Sequence, residues 1–205
     1  MGKKHKKQNC TVYGIVEDQI EFVEFLRETY KPDQNNITLK LQDSEGGYPD
    51  RIVGFAIREC HRDRSFAWLD EDFEPANTLG RDMRNQLAKC WKIESENLDN
   101  FLKCPLRDLQ TTYNSENKKP ILIISKPVCS ESIIIQALGE KIPDSCKTYN
   151  PATRDTQIKA LKHKLDRICN NDKMDFYRKN LDKDILEEKR KLITELDLLI
   201  SMITK

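Results

Sequence analysis

The run Pro120-Ile121-Leu122-Ile123-Ile124, closed by Ser125-Lys126-Pro127, constrains the fold of this chain more than any other stretch. An apolar run this short, bounded by turn-forming residues and lacking alternation, is the pattern of a strand covered on both faces. Such strands belong to parallel sheets with a helical layer on each side. The preceding sequence supplies the neighbours. Thr11–Val16 reads as a first strand, Ile37–Leu41 as a second with apolar/polar alternation, and Ser65–Leu69 as a third. Between the first two strands, Ile20, Val23 and Leu26 recur at helical spacing, Phe22 and Phe25 widen that face, and Lys31-Pro32 ends it. The segment Ser44–Pro49, with Gly46-Gly47, reads as a turn, and a second helix runs over about 50–60. A further helix is expected over Glu131–Leu138. The repeating strand–helix order predicts the α/β class, with a Rossmann-like, mainly parallel sheet flanked by helices.

Two regions stand apart from that repeat. The polar stretch over about 75–117 reads as an insertion between core elements. From Thr153 onward the chain is charged and helical, with one apolar stripe at Ile158, Leu161, Leu165 and Ile168 and another at Leu192, Leu196, Leu199 and Ile203. These stripes predict two helices that pack on the body of the protein, or alternatively a helical hairpin that forms a homodimer or docks a partner. The expected organisation is a basic N-terminal tail over 1–10, a catalytic domain over 11–150 and a C-terminal helical extension over 151–205.

Charge narrows the function classes. With 35 Lys and Arg against 34 Asp and Glu, the net charge is +1, which argues against a protein that simply coats a polyanion. A nucleic acid as substrate stays compatible with segregated charge. The start Lys3-Lys4-His5-Lys6-Lys7 reads as a solvated tail or as an electrostatic hook for phosphate. The seven cysteines are scattered and contain no C-x-x-C pair, so the sequence offers no zinc motif. No signal peptide or membrane span is read, and the expected setting is cytoplasmic with reduced thiols.

Ligands of parallel α/β sheets gather at the carboxyl ends of the strands. There the first strand is followed by Glu17-Asp18, the third by Asp70-Glu71-Asp72 and the fourth by Ser125-Lys126. Side chains alternate along an extended segment, so Asp70 and Asp72 are expected to point one way and Glu71 another. With Glu17 from a neighbouring strand, three carboxylates would face one point. Two like charges about 4 Å apart repel by roughly 4 kcal/mol at an effective dielectric near 20. A hard divalent ion, Mg²⁺ or Mn²⁺, relieves that repulsion and can activate water against a phosphate. Glu131 is read as a fourth acid or as a helix-cap residue, and Lys126 as a phosphate stabiliser or an exposed lysine. His5, His61 and His163 share no spacing, and no P-loop motif is present.

These segments resemble the Toprim domain shared by topoisomerases, DnaG-type primases and overcoming-lysogenisation nucleases. That family pairs a glutamate after its first strand with a D-x-D after a later one, similar to Glu17 in Gly14–Asp18 and to Asp70 and Asp72 in Trp68–Asp72. The nearer resemblance is to the RloB-like group of small Toprim proteins from bacterial defence loci. It is carried by the basic start, by Glu17–Glu21, by the Gly46-Gly47 turn, and by Ser125-Lys126-Pro127 followed by Glu131. The resemblance covers roughly Lys3 to Gly139; Asp18 stands where the group usually has glycine. It implies a Toprim-like catalytic domain and a metal-dependent nuclease acting in antiphage defence. The implied substrate is RNA such as tRNA, or DNA, and the implied partner is a restraining ATPase. By the same resemblance Glu17, Asp70 and Asp72 would bind metal, Glu17 alternatively serving as general base, with Glu131 and Lys126 in support. Two other classes fit parts of the pattern. One is a receiver-like signalling domain with Asp70 as phosphoacceptor and a lysine near Lys147; the other is a catalytically silent binding module.

Overall fold

Cys10–Val16 (β1) is the strand on which the sheet is organised, pairing with Ile37–Asp43 (β2) on one side and Arg64–Asp70 (β3) on the other. The apolar run falls in Ile121–Ser125 (β4), which pairs with β3 and is buried along its whole length. The structure, a computed structural model, describes residues 9–44, 48–71, 79–113, 119–170 and 172–204. All strand pairings are parallel, in the order β2-β1-β3-β4. The Gly46-Gly47 turn and Asp72 lie outside the described residues, as does the basic start.

Two helices give the sheet its two faces. Ile20–Tyr30 (α1) connects β1 to β2 and buries Phe22, Val23, Phe25 and Leu26 against Val12, Val16, Phe66, Trp68 and Ile123. Pro49–Cys60 (α2) connects β2 to β3 and buries Ile52, Val53, Ala56 and Ile57 against Ile15, Ala67, Leu69, Leu122 and Ile124. Alternate residues of one strand therefore enter opposite cores, which is why β4 needs apolar residues at consecutive positions. Because β2 and β3 lie on opposite sides of β1, the chain reverses direction between β1 and β3. That reversal opens a crevice at their carboxyl ends.

The stretch between β3 and β4 closes the α2 face with Arg81–Cys90 (α3), Leu98–Lys103 (α4) and Leu106–Thr112 (α5). Leu87, Trp91, Phe101 and Leu109 carry it into the core. The Trp91 indole N–H donates to the Pro120 carbonyl at 2.9 Å, tying the end of α3 to the start of β4. From α5, the buried Gln110 accepts the backbone N–H of Ile124 and donates to Glu195. This contact occupies a main-chain donor on the edge strand.

Ser130–Ala137 (α6) follows β4. Arg154–Cys169 (α7), Lys173–Asn180 (α8), Lys183–Lys189 (α9) and Thr194–Thr204 (α10) complete the α1 face. The expected pair of C-terminal helices is thus a set of four. Leu161 and Leu165 of α7 and Leu196, Leu199 and Ile203 of α10 all join the same core as α1. Leu192 is 82% exposed because α10 begins only at Thr194. Most residues of both apolar stripes therefore pack inside the chain, with Ile158 and Ile168 only partly buried. Among the described residues no helix is long and apolar enough to cross a membrane.

Gly14 on β1 sits where no Cβ fits without a shift of its neighbours. A Cβ built there would lie 2.4 Å from Phe66 Cζ and 2.8 Å from Leu41 Cδ2. Gly14→Ala is expected to destabilise the protein by about 1–3 kcal/mol through overpacking. Urea unfolding checks this through a lower midpoint at unchanged slope.

Candidate metal centre at the carboxyl ends of β1 and β3

The sheet register brings distant acids to one edge. Val16 pairs with Trp68, and the ladder extends one step further as Glu17 N–H donates to the Trp68 carbonyl at 3.2 Å. Glu17 then turns its carboxylate back onto β3, where Oε2 accepts the Asp70 backbone N–H at 3.1 Å. Asp70 is the last residue of β3 and is opposed by Ser125, the last of β4. Its Oδ1 accepts the N–H of Ser130 at 2.7 Å, which docks the first residue of α6 against the end of β3.

That docking carries Glu131 into the interior. Oxygens of Asp70 and Glu131 and the sulfur of Cys129 all lie within 4.8 Å of one another, and all three residues are buried. Glu131 has no exposed surface; Gln19 Nε2 donates to its Oε1 at 3.0 Å. Its Oε2 is buried with no hydrogen-bond partner among the described residues, and so is Oγ of the adjacent Ser130. An unmet buried carboxylate oxygen loses hydration without replacement.

Backbone strain fixes both flanks. Gln19, at φ 61, and Val128, at φ 72, sit in the left-handed region without being glycine. For a β-branched residue such as Val128 that region is a true outlier, maintained only where surroundings over-determine it. Glu71 does so from β3's end: its N–H donates to the Val128 carbonyl and its Oε2 accepts the Val128 N–H, both at 3.0 Å. Glu71 thus clamps the loop that presents Cys129 and Glu131, beside the Ser130 N–H that Asp70 accepts.

Positive charge arrives from the C-terminal helices. Lys162 of α7 donates to Asp18 Oδ2 at 2.9 Å and lies 3.8 Å from Glu131 Oε1. Partial burial works against its charge. The Asp18 hydrogen bond and the fields of Glu131, Asp18 and Asp70 outweigh burial and raise its pKa, so it remains cationic. Lys173 of α8 donates to Gln19 Oε1 at 3.2 Å, which orients the Gln19 amide toward Glu131. Lys162, Lys173 and Cys129 went unmarked in the sequence because the helices that carry or adjoin them are aligned only by tertiary packing.

Of the residues expected at this site, Glu17, Asp70 and Glu131 are gathered at one edge, while Asp72 lies outside the described residues. Lys126, just beyond β4, exerts its field on Glu195 and Cys104. Ser125 is fully buried and accepts the Trp68 indole N–H at 2.7 Å, a structural bond. Lys147, which a receiver-like site would need beside Asp70, pairs with the exposed Asp144 at 2.7 Å.

The donor set can be weighed against a divalent ion. The carboxylates of Asp70 and Glu131 suit a hard cation, and the unmet Oε2 of Glu131 fits a missing positive partner. The Cys129 thiol is a poor ligand for Mg²⁺ and tolerates softer divalent ions better. Comparison of this chain with protein-family models, with curated proteins and with solved structures finds no match.

Proposed function

We propose that the chain is a divalent-metal-dependent hydrolase of phosphodiester bonds in nucleic acid, with Mg²⁺ or Mn²⁺ held by Asp70 and Glu131. The observation that carries this reading is the buried, unpartnered Glu131 Oε2 within a cluster that already contains Asp70. One lysine at 3.8 Å compensates only part of that charge. When bound, the cation would acidify a coordinated water and neutralise charge on a phosphate oxygen.

The chain's own residues have separable tasks. Asp70 and Glu131 would hold the ion, and Asp72 would add a ligand from the segment after β3. Glu17 keeps the end of β3 in place through the Asp70 N–H, with its carboxylate beside the crevice as a candidate base or further ligand. Gln19 and Lys173 restrict Glu131 to one orientation. Lys162 has 47% of its side chain exposed, so it can meet a substrate phosphate at the mouth while paired with Asp18.

RNA such as tRNA, or DNA, is the proposed substrate, and a cytoplasmic defence role with a restraining ATPase is the proposed context. The test is incubation of the protein with total RNA, tRNA and plasmid DNA in Mg²⁺, in Mn²⁺ and in EDTA. Metal-dependent cleavage of one of them supports the reading. Intact substrates under every condition, or cleavage that survives EDTA, contradict it.

A further inference from the structure

A second cluster of metal-ligating groups lies at the opposite end of the sheet. Cys60 ends α2, His61 follows it as the helix cap, and Cys90 ends α3. A sulfur of each cysteine and an imidazole nitrogen of His61 all lie within 4.8 Å of one another. The two cysteines are half-buried and His61 is exposed, so the group is open to solvent on one side. Because α2 runs antiparallel to the strands, its last turn lies at the amino ends of β3 and β4. The field of Lys119, just before β4, reaches Cys60 there. The acid cluster at the carboxyl ends is therefore a separate site.

We propose that Cys60, His61 and Cys90 bind one Zn²⁺ ion that joins the ends of α2 and α3. Two sulfurs and one imidazole are a ligand set of zinc sites, whether closed by a fourth protein ligand or left open to water. Zn–S bonds of about 2.3 Å in a tetrahedron put the sulfurs about 3.8 Å apart, and Zn–N of about 2.0 Å puts nitrogen about 3.5 Å from each. Both separations fall inside the 4.8 Å within which the three ligand atoms already gather. All three residues are at or just beyond helix C-termini, and the Cys60 thiol at present donates to the Ile57 carbonyl at 3.0 Å, a bond that metal binding would replace. Donor chemistry selects the ion: thiolates and imidazole favour zinc over Mg²⁺ or Ca²⁺, which require oxygen. The usual sequence spacing is absent because the cysteines come from two helices, with adjacent Cys60 and His61 supplying the short-range pair.

The consequence is mechanical. Trp91 follows Cys90 directly, is 1% exposed, and binds the Pro120 carbonyl ahead of β4. An ion held between Cys60 and Cys90 would fix α3, and with it Trp91, against α2. Binding would release the thiol protons and stabilise only the folded chain.

The test uses the full chain, stripped of metal under a non-thiol reductant and titrated with Co²⁺ as a spectroscopic substitute for zinc. The expected result is thiolate-to-cobalt charge-transfer absorption with tetrahedral ligand-field bands, saturating at one equivalent and displaced by Zn²⁺. Cys60→Ser and Cys90→Ser should each abolish the charge-transfer band or weaken it at least several-fold. Cys129→Ser and Asp70→Asn should leave it intact, because they alter only the acid cluster. Should the serine variants fail to fold, alkylation of the wild-type chain read by mass spectrometry gives the same answer. Zn²⁺ is expected to slow modification of Cys60 and Cys90 at least tenfold while sparing the rate at Cys10. Three results overturn the proposal: no thiolate–cobalt band in the wild type; a band lost in Cys129→Ser but kept without Cys60 and Cys90; or alkylation rates indifferent to Zn²⁺.

Discussion

Asp70→Asn is expected to lower metal-dependent phosphodiester cleavage by about 10³-fold, equivalent to about 4 kcal/mol of transition-state stabilisation. The substitution is chosen to isolate charge. Asparagine retains a carbonyl oxygen that can accept the Ser130 N–H in place of Asp70 Oδ1, so α6 stays docked on β3. The negative charge that would hold the ion next to Glu131 is lost. Glu131→Gln should produce a loss of similar size, since Gln19 can still donate to the retained oxygen. If both residues hold one ion, the double variant loses little more than either single one, because groups that act as a unit are strongly non-additive. Rates measured under saturating Mn²⁺ check this. Multiplying losses in the double variant would mean that the two residues act independently.

Trp68→Ala should be the most damaging single change to the fold, at about 3–5 kcal/mol. Trp68 is 1% exposed, packs against Phe22 with ring centroids 6.4 Å apart, and binds Ser125 through its indole N–H. It lies at the carboxyl end of β3, so the cavity left by truncation would open beneath Asp70. Against a total of about 5–15 kcal/mol for a typical domain, the loss leaves little reserve. Ser125→Ala, which orphans the indole N–H without removing the ring, should cost less, about 1–3 kcal/mol. Equilibrium unfolding in urea distinguishes the two, and a Trp68→Ala loss no larger than that of Ser125→Ala would show that the ring packs loosely.

The sheet was legible in the sequence because its signals are local. The consecutive apolar residues of β4, the alternation in β2 and the Lys31-Pro32 stop each follow from the burial of a few neighbouring side chains. Strand ends were less so: Asp70 was read as the first residue after β3 and proves to be its last, bonded within the sheet edge. The meeting of Glu17, Asp70 and Glu131 was foreseeable from the rule that parallel strands present their carboxyl ends together. Lys162 had no local mark at all. It follows the core residue Leu161 on a helix whose position depends on packing across the whole α1 face. The Cys60–His61–Cys90 cluster was hidden in the same way, because α2 and α3 are separated by β3 and converge only in space.

The most direct test of the central claim is thermal unfolding of the wild-type chain and of Asp70→Asn across an Mn²⁺ titration. Oxygen-ligand binding at the acid cluster predicts a wild-type stabilisation of about 2.7 kcal/mol at one hundred times Kd, or about 5–10 °C for a chain of this size. Asp70→Asn should show no such rise. A wild-type melting temperature indifferent to Mn²⁺ and Mg²⁺, or an equal rise in the variant, would contradict a divalent cation held between Asp70 and Glu131.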